Sequence, residues 1–229
     1  PRPGFITYRE DTVNNISAHY DWRNVIHRRF DMDTTSARTA DLRVMQNYIK
    51  DPNEIYKKSF DIISSEVNLE PFDNYHQKLI TRVIHSCGDT SVMDDLFISK
   101  YAISEGLKSI RSDCKILTDS EMVRAGVMKK NLPRNKVECF LNNKDVQRIA
   151  SMYNTTRSAA AVNLWKNYIK NSIIIIGNAP TALFRLIEII KENNFIPSLI
   201  IAMPLGFVGA VESKEELIDL HNSLNLNII

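Results

Sequence analysis

The chain has 229 residues, 44% hydrophobic and 24% charged, with 29 basic against 27 acidic side chains and a net charge of +2. That composition belongs to a soluble globular protein of one large or two small domains. The charge balance excludes the concentrated basic face of a nucleic-acid binder, and the longest apolar run, closing at residues 173–176, falls far short of the roughly 20 residues that cross a bilayer.

No basic-then-apolar leader opens the sequence. Cys87, Cys114 and Cys139 are widely spaced and odd in number, so neither a disulfide framework nor a structural zinc is expected, and the setting expected is a reducing cytoplasm. Residues 1–46 read as an N-terminal extension: polar and irregular, with Tyr8, Tyr20 and Trp22 among Arg9, Arg23, Arg28 and Arg29, and a helix expected over 34–46. Residues 47–229 read as one α/β domain.

That domain opens on a helix start, with Asp51 as capping carboxylate, Pro52 at the first position and Glu54 in the first turn. Ile55, Ile62, Ile63 and Val67 supply its apolar stripe. A second helix spans 73–87 and stops at Gly88, with Leu79, Ile80, Val83 and Ile84 on its apolar face. A third helix is expected over 93–110. From Cys114 onward short apolar runs alternate with helices. Runs 115–118, 137–141, 172–176 and 198–203 read as buried strands, and 226–229 as a final one. Helices are expected over 120–125, 144–153, 156–168 and 181–192, and Ser213 with Glu216 reads as a capping box opening one more. The expected fold is three-layer α/β/α around a mainly parallel sheet of about five strands.

In such sheets ligands bind outside the carboxyl ends of the strands. Two loops stand out there. In the loop 176–181, Gly177 permits close backbone approach, Pro180 presets a helical turn, and free N–H groups at the helix start favour an anion. In the loop 203–213, Gly206 and Gly209 flank Phe207 and Val208, a surface suited to a flat, apolar, carboxylate-bearing ligand; the plainer reading of both loops is ordinary strand-to-helix turns. Gly-x-Gly-x-x-Gly and Gly-x-x-x-x-Gly-Lys-Ser/Thr are absent, so nucleotide binding has no motif, and no His-Glu-x-x-His or carboxylate cluster indicates a metal.

On the 73–87 helix, Lys78, Arg82 and His85 follow i, i+4, i+7 spacing and share a polar stripe. His85 sits in the last turn, where the helix dipole favours positive charge, and an imidazolium at a half-buried helix end suits a general acid. A lone helical histidine is otherwise an ordinary structural residue. Cys87 reads as core rather than nucleophile.

Five stretches now stand in order: DPNEIYKKSF at 51–60, RVIHSCG at 82–88, TRSAAAV at 156–162, IGNAPTAL at 176–183 and GFVGAVESKE at 206–215. Together, over about residues 48–220, they closely resemble the precorrin-8X methylmutase family, the isomerases of cobalamin biosynthesis. The resemblance implies a cofactor-free isomerase that moves a methyl group between adjacent ring carbons of a tetrapyrrole, by a 1,5-sigmatropic shift, giving hydrogenobyrinate or cobyrinate. Cobalt would enter only as part of the substrate. It implies a homodimer with sites near the subunit interface, and composition has already given no nucleic-acid or membrane partner. His85 falls at the family's catalytic histidine. Tyr56, Ser59 and Arg82 fall in substrate-binding blocks, as do Arg157, Ser158, Asn178, Thr181, Gly206, Phe207 and Gly209. The family usually carries a glycine-rich basic segment after its last strand. This sequence stops at Ile229 before that point, so either the segment lies beyond it or this protein lacks part of the site, and Leu205 replaces a more usual valine. The alternative expectation is a non-catalytic tetrapyrrole-binding protein derived from this family.

Overall fold

The computed structural model describes residues 48–229; the expected extension 1–46, with its helix over 34–46, lies outside them. The described residues divide into two compact units, the first ending at Asp95 and the second spanning Leu96–Ile229.

In the first unit, helix α1 is Pro52–Glu66, helix α2 is Asn74–Cys87 and a short helix α3 is Val92–Asp95. The Asp51 side chain accepts from the Asn53 N–H at 2.8 Å, with proline at the first helical position. Asp73 caps α2 by accepting from the Tyr75 and His76 N–H groups at 2.8 and 3.1 Å. Gly88 closes α2 at φ 68°, a left-handed conformation that glycine adopts without a Cβ penalty. Ile63, Ile80 and Ile84 are buried where α1 and α2 pack. Both helix starts and the stop at Gly88 match the sequence pattern.

The second unit begins with helix α4, Ala102–Arg111. The helix expected over 93–110 is therefore two helices, α3 and α4, in different units. The chain leaves helical geometry after Asp95 and is held out of it at Ser99, whose N–H donates to the Ile228 carbonyl at 3.0 Å while its hydroxyl accepts the Ile228 N–H at 2.9 Å. Tertiary bonding there overrides a helical pattern.

Four strands follow: β1 Ile116–Thr118, β2 Val137–Cys139, β3 Ile173–Ile176 and β4 Leu199–Ala202, all parallel and ordered β2-β1-β3-β4. The expected fifth strand over 226–229 is reduced to one parallel bridge, Ile200 to Ile228. Helix α5 (Glu121–Gly126) joins β1 to β2, with a tight 3-10 turn at Lys129–Asn131. Helices α6 (Val146–Met152) and α7 (Arg157–Asn163) join β2 to β3, helix α8 (Pro180–Asn193) joins β3 to β4, and helix α9 (Ala210–Leu224) follows β4. The helix expected over 156–168 stops at Asn163, and tight turns then carry Trp165 and Ile169 into the core.

The pleat's period of two sends alternate strand residues to opposite faces. Ile116, Ile173 and Leu199 pack with Ala102 and Ile110 of α4 on one face. Leu117, Ile174, Ile176 and Ile200 pack with Val162, Leu183, Leu186 and Leu217 on the other. This unit is thus the three-layer α/β/α arrangement expected. Among the described residues, no helix is long and apolar enough to cross a membrane.

The capping box expected at Ser213 and Glu216 does not open α9. Gly209, at φ 79°, opens it four residues earlier, and Ser213 lies buried in its first turns with its hydroxyl donating to the Ala210 carbonyl at 3.3 Å. A side chain at 209 would sit 3.2 Å from the Phe184 ring besides adopting a disfavoured φ.

Candidate active site

In the first unit the last turn of α2 brings His85 against α1. Its Nδ1 lies 2.7 Å from the Ser59 hydroxyl. The Tyr56 ring lies 5.1 Å from the imidazole, tilted by 32°, and the Phe60 ring meets it edge-on at 5.6 Å. These positions follow from helical spacing: Tyr56, Ser59 and Phe60 recur at i, i+3 and i+4 on one face of α1. The imidazole is thus held by one hydrogen bond and two aromatic rings, with Nε2 left for a ligand. His85 and Ser59 line a cavity of about 510 Å³ that also takes in Ile55, Lys58, Ile62 and Glu66. Arg82, one turn before His85, is exposed and forms no ion pair among the described residues. Cys87, expected in the core, is exposed and does not line the cavity; the helix ends there, so its face of α2 is left uncovered.

In the second unit the candidate residues gather at the carboxyl edge of the sheet. The chain leaves β1 toward β2 on one side and β3 toward β4 on the other, so the crevice between the ends of β1 and β3 is the topological switch point. The N–H groups of the loop after β3 point at an anion there, but the anion belongs to the protein. Asp119, just after β1 and 1% exposed, accepts from Gly177 N–H at 3.1 Å, Asn178 N–H at 2.9 Å and Ala179 N–H at 2.7 Å. The expectation that these groups are free for a ligand is corrected accordingly. Asp119 itself escaped the sequence reading; the available signal was its place at the carboxyl end of the first apolar run.

Around this carboxylate, the Asn178 carbonyl accepts from Leu205 N–H at 3.3 Å and the Ile176 carbonyl from Met203 N–H at 2.8 Å, tying the loop after β4 to the loop after β3. The hydroxyls of Thr156 and Thr181 lie 2.8 Å apart, joining the starts of α7 and α8. Arg157 donates to the Leu141 carbonyl at 3.2 Å and to Asn142 Oδ1 at 3.3 Å, its exposed guanidinium held at the end of β2. Ser158 is half-buried beside it. The loop between Gly206 and Gly209 carries Phe207 and Val208 fully or almost fully in solvent, 100% and 89% exposed. The structure therefore assembles the candidates as two groups: Tyr56, Ser59, Arg82 and His85 in one unit, and Arg157, Ser158, Asn178, Thr181, Gly206, Phe207 and Gly209 in the other.

Burial pushes the Cys114 and Cys139 thiols up, further from the reactive thiolate.

The fold is a doubly wound α/β unit preceded by a helical unit that presents a histidine–serine pair. A family model described as precorrin-8X methylmutase matches residues 54–228. The precorrin-8X methylmutase of Pseudomonas aeruginosa is 44% identical over 174 residues, covering 76% of this chain and 84% of its own length. The cobalt-precorrin-8 methylmutase of Methanocaldococcus jannaschii is 37% identical, covering 73% of this chain and 80% of its own. The solved precorrin-8X methylmutase of Thermus thermophilus superimposes with a TM-score of 0.65 at 32% identity, over 73% of this chain and 82% of that one. The chain belongs to the precorrin-8X methylmutase family and is an isomerase of cobalamin biosynthesis. The names these relatives bear favour the enzyme over the non-catalytic binding protein.

Proposed function

We propose that this protein catalyses the 1,5-shift of a methyl group on the ring of precorrin-8X or cobalt-precorrin-8, giving hydrogenobyrinate or cobyrinate, with His85 as the proton donor. The observation that carries this reading is the Ser59–His85 pair, 2.7 Å apart beneath Tyr56 and Phe60. In the imidazolium both ring nitrogens donate. Nδ1–H donates to the Ser59 hydroxyl oxygen, which leaves Nε2–H for the substrate.

A suprafacial 1,5-shift is thermally allowed, so the chemistry asks for neither a nucleophile nor a redox group. Protonation makes the conjugated ring a better electron sink, so the methyl migrates to an electron-poor terminus. The proton is recovered from the ring afterwards, and substrate and product remain isomers. A placed acid contributes typically about 10²–10⁴-fold, and holding the ring in one reactive conformation supplies more. Cobalt belongs to the substrate, and no cofactor enters the scheme.

Arg82, exposed and unpaired among the described residues, suits a substrate carboxylate, as does Arg157, for which bidentate contact is the strong case. Asn178 and Thr181 present polar groups at the start of α8, and Ser158 in the first turn of α7. Gly206, Phe207 and Gly209 provide an apolar surface for the macrocycle. A homodimer accompanies this reading, since Leu205, Phe207 and Val208 form more exposed apolar surface than a tip in water needs. Three unpaired cysteines fit a reducing cytoplasm.

The test is His85→Ala, incubated anaerobically with precorrin-8X and with its cobalt complex and followed by visible spectrum. Turnover should fall about 10²–10⁴-fold while binding of the macrocycle persists. A variant as active as the parent removes His85 as the acid.

A further inference from the structure

We propose that Asp119 is a positioning residue for the isomerisation: from the end of β1 it fixes the loops after β3 and β4, and through them the groups that hold the substrate. This rests on the reading of Asn178, Thr181 and Arg157 as substrate contacts.

A carboxylate buried to this degree is costly unless it is fully hydrogen-bonded. Asp119 has three backbone donors at 2.7 to 3.1 Å, at the positive end of α8. Doubly wound proteins offer such N–H groups to a ligand's anion. Here the protein fills the place itself, so the loop has its working shape before any substrate arrives. The substrate's carboxylates must then be met by side chains rather than by this backbone.

The constraint spreads outward along named bonds. Asn178 passes it to Leu205 through a carbonyl, and Ile176 passes it to Met203. Thr181 passes it through the Thr156 hydroxyl to the cap of α7, whose first residue is Arg157. Gly177 closes the remaining freedom: a Cβ there would lie 2.7 Å from Val123 Cγ2, so the loop lies directly on α5. Asp119 is not among the groups proposed to move a proton. Its loss should therefore appear in substrate binding rather than in the chemical step.

Asp119→Asn keeps the size and one acceptor oxygen but turns an amide NH₂ against the N–H donors. It should raise KM about tenfold or more and leave kcat within about threefold. A wild-type KM in this variant, or a loss confined to kcat, overturns the proposal. In Asp119→Ala, added formate should bring KM back toward the wild-type value by occupying the vacated anion place; formate without effect counts against the role. Hydrogen exchange on the wild-type chain needs no variant. The amides of Gly177, Asn178 and Ala179 should be protected before substrate is added, and protection that appears only with substrate would make the substrate's own carboxylate the anion. Asn178→Ala and Thr181→Ala separate this proposal from the reading beneath it. An unchanged KM in both removes the substrate-contact reading and the positioning role with it. A raised KM in both beside a wild-type KM in Asp119→Asn removes the positioning role alone.

Discussion

At the scale of single residues, the proton-donor reading depends on what holds the imidazole. The Ser59 hydroxyl engages Nδ1 and so selects which nitrogen faces the ligand. Ser59→Ala removes that hydrogen bond but leaves the rings of Tyr56 and Phe60 in place. A net hydrogen bond contributes about 0.5–1.5 kcal/mol, so kcat should fall about tenfold at most, well short of the loss in His85→Ala. Single-turnover spectra of the two variants compare them directly, and equal losses would make the serine as essential as the histidine. The place of His85 in the last turn of its helix was legible in the sequence because helical spacing and the stop at Gly88 are local signals, while the role proposed for it rests on the resemblance of the surrounding blocks. Asp119 was not legible, because its three partners lie 58 to 60 residues further along the chain. No local pattern encodes a contact of that separation.

At the scale of elements, helix α2 carries the histidine and is capped by Asp73. The backbone N–H of His76 is the main influence holding the Asp73 carboxyl below its usual range, joined by the His76 ring and the Tyr75 N–H. A carboxyl depressed in the folded state contributes stability that is fully present above its unfolded pKa of about 3.9. That contribution is lost as pH falls through the lower folded value. Asp73→Asn keeps the capping oxygen and removes the titration. Melting curves from pH 7 down to pH 3 should therefore show wild type losing more stability in the acid range than Asp73→Asn, while parallel curves would refute the cap's titration. Helix starts at Asp51 and Asp73 and the stop at Gly88 were readable, since capping chemistry is local. The capping box at Ser213 misled because Gly209, with its left-handed backbone and its packing on Phe184, begins α9 earlier. The break at Ser99 was invisible for the same reason as Asp119: its partner, Ile228, is 129 residues distant.

At the scale of the whole molecule, the parallel sheet was legible because its strands are almost purely apolar, and alternate residues such as Ile173 and Ile174 feed separate helical layers. The exposed apolar tip at Leu205, Phe207 and Val208 bears on assembly. Sedimentation of the full chain should give a particle of twice the chain mass, and a monomer at all concentrations would dismiss the dimer. The anchoring of two loops on one buried carboxylate also matters to anyone redesigning this enzyme for another ring. The loops after β3 and β4 are not interchangeable cassettes. A graft taken from a scaffold whose first strand does not end in an acidic residue would arrive with three backbone donors and nothing to receive them. Transplants of these loops must therefore move the end of β1 together with them.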